Sequence, residues 1–294
     1  MKRVRKTQTD LRGKVVLSMR GGAASPLILE AATRVAYTFR GELRGLFMEH
    51  EELLALAELP FAREISLTGS RSRSLSLDVV RKEMDAASAA MAREFERLTR
   101  DTRIPAHFEV ISGRTKEALS KMMQDAGILA VGEPLALATP GMFSELLDDP
   151  STIPGLVVVG CEAQRARGSI LTVLDPASDV ALLVDTAEEI SKEGDEEVVL
   201  LIAAEESEET ERLYSEARAV IDAGTRHRFE RIGAVTPKAI AALVERHRCG
   251  LVVARIGGPI AEKGRLALRF ACAIKCPLLL LRQTLLNSFP RRAP

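Results

Sequence analysis

The chain has 294 residues, which is long enough for two domains of ordinary size with a hydrophobic core each. Hydrophobic residues make up 46% of the sequence and charged residues 28%, a composition in the range of soluble globular proteins and not of disordered chains. Lysine plus arginine equals aspartate plus glutamate at 41 each, so no net charge attracts nucleic acid or an acidic membrane. Residues 1–20 are locally basic, which we interpret as a short solvated tail.

No apolar run reaches the roughly 18 residues that a membrane-spanning helix needs. The apolar stretch at Lys14–Met19 is too short for the central region of a signal peptide. With no export signal, we expect the protein in the reducing cytoplasm and its four cysteines as free thiols rather than as a disulfide framework. These are Cys161, Cys249, Cys272 and Cys276.

The first half of the chain predicts five short apolar strands, at Val15–Met19, Leu43–Met48, Ala106–Ile111, Ile128–Val131 and Leu156–Val159. About 34 extra residues, roughly 51–85, interrupt it between the second and third strands. In this insertion Glu51–Leu59 is leucine-rich, and Thr68–Ser74 has the low complexity of a loop. A helix is predicted to follow over Asp78–Thr99, because its apolar residues recur with helical spacing.

A polar junction at Gly160–Gly168 separates this half from five further strands. These are predicted at Ile170–Leu174, Val198–Ala203, Arg226–Ile232, Leu251–Ala254 and Leu278–Leu281. Helical patterns lie between them, at Val180–Lys192, Glu209–Ala223, Pro237–His247 and Gly264–Ile274. Short apolar strands that alternate with helices favour a parallel sheet covered on both faces.

The two halves repeat each other. An offset of 123 positions aligns Gly127 with Gly250, Gly141 with Gly264 and Pro154 with Pro277. We therefore predict an α/β protein of two tandem Rossmann-like domains, each with a five-stranded, mostly parallel sheet and helices on both faces. The first domain is expected to cover residues 1–160 and the second residues 161–294.

The last strands of the two copies, Leu156–Val159 and Leu278–Leu281, are candidates for pairing within the chain as a pseudo-two-fold dimer. A homodimer of whole chains is the alternative. Each copy is expected to keep its own sheet, and a single continuous sheet is the observation that would contradict the duplication.

Three features of the second copy resemble the universal stress protein family. The first strand ends in Asp175, followed by the small-residue turn Pro176-Ala177-Ser178. The last helix begins at Gly264, twelve residues ahead of Cys276, and Cys276-Pro277 then opens an apolar strand that an arginine closes. Because these features recur in register, the chain resembles a tandem member of that family with degenerate ATP-binding motifs.

Nucleotide-binding members of the family carry the motif G-x-x-G-x9-G-[ST] after the fourth strand. Its glycines let backbone N–H groups approach phosphate oxygens, and its last pair opens a helix whose N-terminus favours an anion. In the first copy the aligned residues are Gly132, Leu135 and Gly141-Met142, and in the second Arg255, Gly258 and Gly264-Arg265. Both loops are also four residues shorter than the motif, and the first-strand aspartate is replaced by Arg20 in the first copy.

Two hypotheses follow from these departures. In the first, both pockets have lost nucleotide binding, and the chain is a non-catalytic stress-response or regulatory protein that acts through contacts with an unknown protein partner and has no cofactor. In the second, it is an adenine-nucleotide sensor that binds ATP or AMP in the second copy through Asp175, Arg255, Gly258, Gly264 and Arg265. Gly132 and Gly141 mark the degenerate pocket of the first copy.

Catalysis is not predicted, because no pattern of acid, base and nucleophile appears in the sequence. His247, Cys249, Cys272 and Cys276 are expected near one edge of the sheet, where four such side chains can hold zinc. Since cysteine more commonly behaves as a small buried hydrophobic residue, no metal site is predicted.

Overall fold

The computed structural model describes residues 15–19, 26–39, 41–65, 72–100, 102, 104–113, 127–132 and 154–282. Twelve strands and seven helices lie in these ranges. The strands are β1 (Val15–Met19), β2 (Leu43–His50), β3 (Arg63–Ile65), β4 (Ser72–Ser74), β5 (Ala106–Gly113), β6 (Ile128–Gly132), β7 (Gly155–Val159), β8 (Ile170–Leu174), β9 (Val198–Ala203), β10 (His227–Ile232), β11 (Leu251–Arg255) and β12 (Leu278–Leu281). The helices are α1 (Pro26–Thr38), α2 (Glu51–Ala57), α3 (Leu77–Thr99), α4 (Val180–Lys192), α5 (Ser207–Val220), α6 (Pro237–Arg246) and α7 (Gly264–Ala273).

Ten of the strands form one sheet in the order β10-β9-β8-β11-β12-β7-β6-β1-β2-β5. All neighbours in this sheet are parallel except β12 and β7, which pair antiparallel with Leu278 opposite Val158 and Leu281 opposite Gly155. The strand order is the same on each side of that central pair when it is read outward. The α/β fold with a mostly parallel sheet is therefore confirmed.

The last strands of the two copies, which were candidates for pairing within the chain, do pair as β7 and β12. Because this pair joins the two halves into one continuous sheet, the expectation of a separate sheet in each copy is wrong. Each strand would otherwise end its half of the sheet with unpaired backbone groups, and antiparallel pairing satisfies them within one chain. A continuous sheet was expected to contradict the duplication, but two copies that join through their last strands form one sheet as well. The matching strand order on the two sides of the pair still favours a duplication, which remains a proposal. The domain boundary at residue 160 likewise remains a prediction.

Helices cover both faces of the second half of the sheet. On one face, α4 and α5 bury side chains such as Leu183, Ile190 and Leu213 against the strands. On the other face, α6 and α7 bury Ile240 and Phe270. In the first half, α1 and α3 cover the face that α4 and α5 cover in the second.

The insertion between β2 and β5 holds more regular structure than the sequence indicates. Ser72–Ser74, which was expected to belong to a loop, forms β4 and pairs antiparallel with β3. Arg73 of β4 is ion-paired with Glu64 of β3 and, at 2.7 Å, with Glu83 of α3. These contacts hold the small hairpin to α3 through charged side chains, a pattern that carries no hydrophobic periodicity.

The two halves meet along a seam formed by α1, α4 and the segment 160–168. Arg34 of α1 lies buried in this seam, with its side chain 2% exposed, and is ion-paired with Glu196 just after α4. Arg165 of the connecting segment donates to the carbonyl oxygens of Cys249 at 2.9 Å and Val244 at 3.2 Å. The connection is therefore a packed and hydrogen-bonded part of the fold.

No helix in the described parts of the chain combines the length and the hydropathy needed to cross a membrane.

Candidate functional site

The residues predicted for the second copy lie at the carboxyl ends of β8 and β11, which are neighbours in the sheet. Asp175 directly follows β8, and Arg255 is the last residue of β11. The loop from 256 to 263 then leads to Gly264, where α7 begins. Strand order reverses direction between β8 and β11, and at such a point the carboxyl edge of a parallel sheet forms a crevice suited to a ligand.

Arg255 and Asp175 form an ion pair at this edge. The Arg255 Nε lies 2.9 Å from Oδ1 and 2.8 Å from Oδ2 of Asp175, and the two side chains are 17% and 6% exposed. A pair this well shielded from solvent interacts more strongly than an exposed one. The strand-end acceptor and the arginine predicted to grip an anion are therefore partners of each other.

The Asp175 carboxylate has further hydrogen-bond donors from its own turn. The backbone N–H of Ala177 donates to Oδ1 at 3.0 Å, and the Ser178 hydroxyl donates to Oδ2 at 3.1 Å. With Arg255, these donors engage both oxygens of the carboxylate. The prediction noted this turn only for its small residues and missed the role of Ser178.

The glycines of the following loop make room for the ion pair. A Cβ atom at Gly258 would lie 2.9 Å from Oδ2 of Asp175 and 2.9 Å from Cγ of Arg255. Gly257 has a φ of +80°, a conformation that favours glycine. The resemblance to the nucleotide-binding motif implied a phosphate in the space beside Gly258. In this structure the side chains of Asp175 and Arg255 fill that space.

The start of α7 is the other part of the predicted pocket. Gly264 is buried there, Arg265 is exposed, and the capping residue Lys263 makes no side-chain cap to the helix. Among the described carboxylates, none forms an ion pair with Arg265. The structure thus brings Asp175, Arg255 and Gly258 into contact and leaves Arg265 on the surface of the first turn.

In the first half of the chain, Gly132 is the last residue of β6 and lies opposite Val159 in β7. Gly141, together with Leu135, Met142 and Arg20, lies outside the described residues. The degenerate pocket of the first copy therefore remains a prediction.

Of the three cysteines expected near the amino edge of the sheet, two are buried thiols and Cys272 is half-buried. Cys249 and Cys276 are both fully buried, and no group of three or more His, Cys, Asp or Glu side chains in the described ranges is placed to hold a metal ion. Burial raises the pKa of the Cys249 thiol to about 12 and also raises that of Cys276. Both thiols are therefore protonated and shielded at neutral pH.

A thiol reagent is expected to modify exposed Cys161 of the native protein at neutral pH while leaving Cys249 and Cys276 unmodified until the protein unfolds. Because the folded state holds the thiol protons more tightly than the unfolded state, their contribution to the free energy of unfolding is complete below a pH of about 9 and is lost as the pH rises towards 12. Mass spectrometry of labelled peptides checks the first expectation, and denaturant titrations above pH 9 check the second. Native labelling of Cys249 as fast as of Cys161 would contradict the burial.

Neither a protein-family model nor a curated protein matches the sequence. Among solved structures, the chain is similar to a universal stress protein from Archaeoglobus fulgidus DSM 4304, with a TM-score of 0.63 and 15% identity over 92% of this chain and 96% of that one. It is also similar to a putative universal stress protein from Pseudomonas aeruginosa UCBPP-PA14, with a TM-score of 0.58 and 14% identity over 94% and 96% of the two chains. A functionally unknown protein from Pseudomonas aeruginosa PAO1 has a TM-score of 0.55 and 13% identity over 94% and 95%. The chain has the fold of the universal stress proteins.

Proposed function

We propose that this chain, which has the universal stress protein fold, is a non-catalytic stress-response or regulatory protein of the cytoplasm that acts through protein contacts. In this proposal it does not bind ATP in the manner of the nucleotide-binding motif. The fold supports the stress-response part. The ion pair between Arg255 and Asp175 carries the part that concerns ATP.

A nucleotide at this edge would need the Asp175 carboxylate as an acceptor for its hydroxyl or base donors. That carboxylate already accepts from Arg255, Ala177 and Ser178. Separating a well-buried ion pair costs about 3 kcal/mol, which weakens a ligand that must do so by a factor of roughly 100. The crevice is therefore closed by the protein itself.

Catalysis finds no support in the same contacts. In the described part of the chain, the side-chain partners of Asp175 are Arg255 and Ser178. A general base needs the substrate proton that it abstracts within hydrogen-bond reach. The lone pairs of the Asp175 carboxylate instead accept from Arg255 and from the donors of its own turn, Ala177 and Ser178.

The alternative function, an adenine-nucleotide sensor, rests on the charges around the start of α7. Lys263 and Arg265 are exposed beside the buried Gly264, and helix N-termini favour anions. In this alternative, Arg255 would leave Asp175 for a phosphate, and Arg265 would supply a second guanidinium.

Thermal melts with ATP, AMP and inorganic polyphosphate at millimolar concentration separate the two functions. We expect no shift in Tm for the wild-type protein, whereas a ligand present at 100 times its Kd stabilises by about 2.7 kcal/mol. The substitution Arg255→Gly is expected to release Asp175 and to introduce a nucleotide-dependent shift. Arg265→Ala, which leaves the ion pair in place, is the matched control.

A wild-type shift that Arg265→Ala removes would replace the proposal with the nucleotide sensor. If neither wild type nor Arg255→Gly responds, the ion pair is not what closes the crevice, and the shortened loop is responsible instead.

A further inference from the structure

Among the described strands, β10 is the last at one end of the sheet and pairs with β9 alone. The backbone N–H of Val198 in β9 donates to the carbonyl oxygen of Arg226 at 2.9 Å, and His227 lies opposite Val198 in the parallel register. The backbone N–H and C=O groups of a strand alternate in direction from one residue to the next. In β10 they therefore point towards β9 at Arg228, Glu230 and Ile232, and outward at His227, Phe229 and Arg231. We call this outer row of backbone groups the β10 edge. An open strand edge is a template for another strand.

An aromatic cluster lies beside the middle of the β10 edge. The ring centroids of Phe229 and Tyr214, which lies on α5, are 4.3 Å apart. The ring of His227 packs edge-on against that of Phe229, with 5.7 Å between the two centroids. The Arg218 guanidinium lies 5.8 Å from the centre of the Tyr214 ring, and Tyr214 is 36% exposed. Tyrosine, phenylalanine and arginine are the residues that association surfaces favour.

Charge is distributed unevenly along the same edge. Because α5 runs antiparallel to β10, its first residues lie towards the carboxyl end of β10 and its last residues towards the amino end. The α5 start is acidic, with exposed side chains at Glu205, Glu206, Glu208 and Glu211. The opposite end carries the exposed arginines Arg218, Arg226 and Arg228, of which Arg226 is ion-paired with Asp195 at 3.2 Å and Arg228 with Glu197 at 3.3 Å. Arg231 is an exposed cation at the acidic end. Two such edges brought together antiparallel place the glutamates at the start of α5 in each copy beside the exposed arginines at the opposite end of the other.

We propose that two copies of this chain associate through their β10 edges, antiparallel, about a two-fold axis at Phe229. The same patch then serves both copies, as a closed two-fold interface requires. In this register Arg228 of each copy lies opposite Glu230 of the other, on the face away from α5, where Arg228 also contacts Glu197 and Glu230 also contacts His247 of its own chain. Opposite charges directly across an antiparallel pair stabilise it, and the antiparallel α5 helices have favourable dipoles. The occupant that fits the charge pattern of this edge is therefore a second copy.

Sedimentation of the full chain over a range of concentrations tests the interface with two proline substitutions. Arg231→Pro removes an outward N–H that makes no bond to β9, so it spares the fold and takes away two bonds of the symmetric ladder. We expect it to raise the dimer dissociation constant at least about tenfold. The matched control is Val110→Pro, because Val110 lies outward on β5 at the opposite edge of the sheet. That variant is expected to dimerise as the wild type does.

Charge exchange provides a second test that does not depend on how proline is tolerated. Arg228→Glu alone places glutamates opposite each other, and Glu230→Arg alone places arginines opposite each other, so each is expected to dimerise more weakly. An equimolar mixture of the two is expected to recover wild-type association as a heterodimer, because both cross-strand pairs are then complementary. A monomeric wild type, a dimer unaffected by Arg231→Pro, a dimer lost with Val110→Pro, or a mixture without recovery would each overturn the proposal.

Discussion

Replacing Arg34 with alanine is expected to lower the free energy of unfolding by about 3–5 kcal/mol, because it leaves a buried carboxylate without its cation. The Arg34 guanidinium donates to Glu196 and to the carbonyl oxygen of Ala166. The Glu196 side chain is only 9% exposed, so water cannot replace the lost charge. Urea titration followed by circular dichroism measures the change.

Arg167→Ala is the matched control for this prediction. Arg167 lies in the same seam and is ion-paired with Glu30 at 2.7 Å and Glu193 at 3.5 Å, but its side chain is 54% exposed. Solvent screens such pairs, and the loss is expected to stay below about 1 kcal/mol. Equal losses from the two substitutions would show that burial of Arg34 is not the source of its effect.

Replacing Gly168 with alanine is expected to destabilise the fold by about 4 kcal/mol or more, a loss typical of a backbone forced out of position. Gly168 has a φ of +128°, which residues with a side chain rarely adopt. A Cβ atom would also lie 2.1 Å from the carbonyl oxygen of Arg248, where no flexible side chain can move aside. The segment before β8 and the turn before β11 cross at this point with no room for a side chain.

Gly233→Ala supplies the comparison, since a Cβ atom there meets nothing within 4 Å. Alanine restricts the unfolded chain, so this substitution is expected to leave stability unchanged or to raise it by about 0.5 kcal/mol. Thermal unfolding of the two variants against the wild type measures both effects. A well-folded Gly168→Ala protein with wild-type stability would contradict the close approach.

The strands of the second half were predicted almost to the residue, and all of them except β10 are short runs of mainly β-branched and leucine side chains buried on both faces. The predicted Ile170–Leu174 and Val198–Ala203 are observed as β8 and β9. Helix ends were less accurate: α5 spans Ser207–Val220 where Glu209–Ala223 was predicted. Ends depend on local turns and on contacts with other segments, which periodicity does not record.

The insertion was harder to predict, since β3 and β4 are three residues each and are exposed throughout. Their pairing is supported by charged contacts between Glu64, Arg73 and Glu83 rather than by buried apolar side chains. Short strands are predicted from alternating hydrophobic and polar residues, and β3 and β4 do not show this alternation.

The candidate site shows the same division between residue positions and contacts. The sequence placed Asp175 and Arg255 at the ends of two strands. It predicted that Asp175 accepts hydrogen bonds from a ligand and that Arg255 binds the anionic part of that ligand, and it did not predict that the two side chains bind each other. The adjacency of β8 and β11 brings the two side chains together, at 2.8 Å. The order of the strands in the sheet was the missing signal, because strands that are neighbours bring the side chains at their carboxyl ends within reach of each other.

What the sequence by itself determined was the set of buried strands and amphipathic helices, their α/β alternation and the loss of the phosphate-binding pattern, because periodicity, composition and missing glycines are local properties. The sequence offered the pairing of the last strands, β7 and β12, as a candidate only. The tertiary structure decided that this pair makes one continuous sheet of the two halves, that Arg34 bridges the seam and that Arg255 is ion-paired with Asp175. Each of these depends on which distant segments become neighbours, and the energy of a buried charge or an open strand edge exists only once that neighbour is in place.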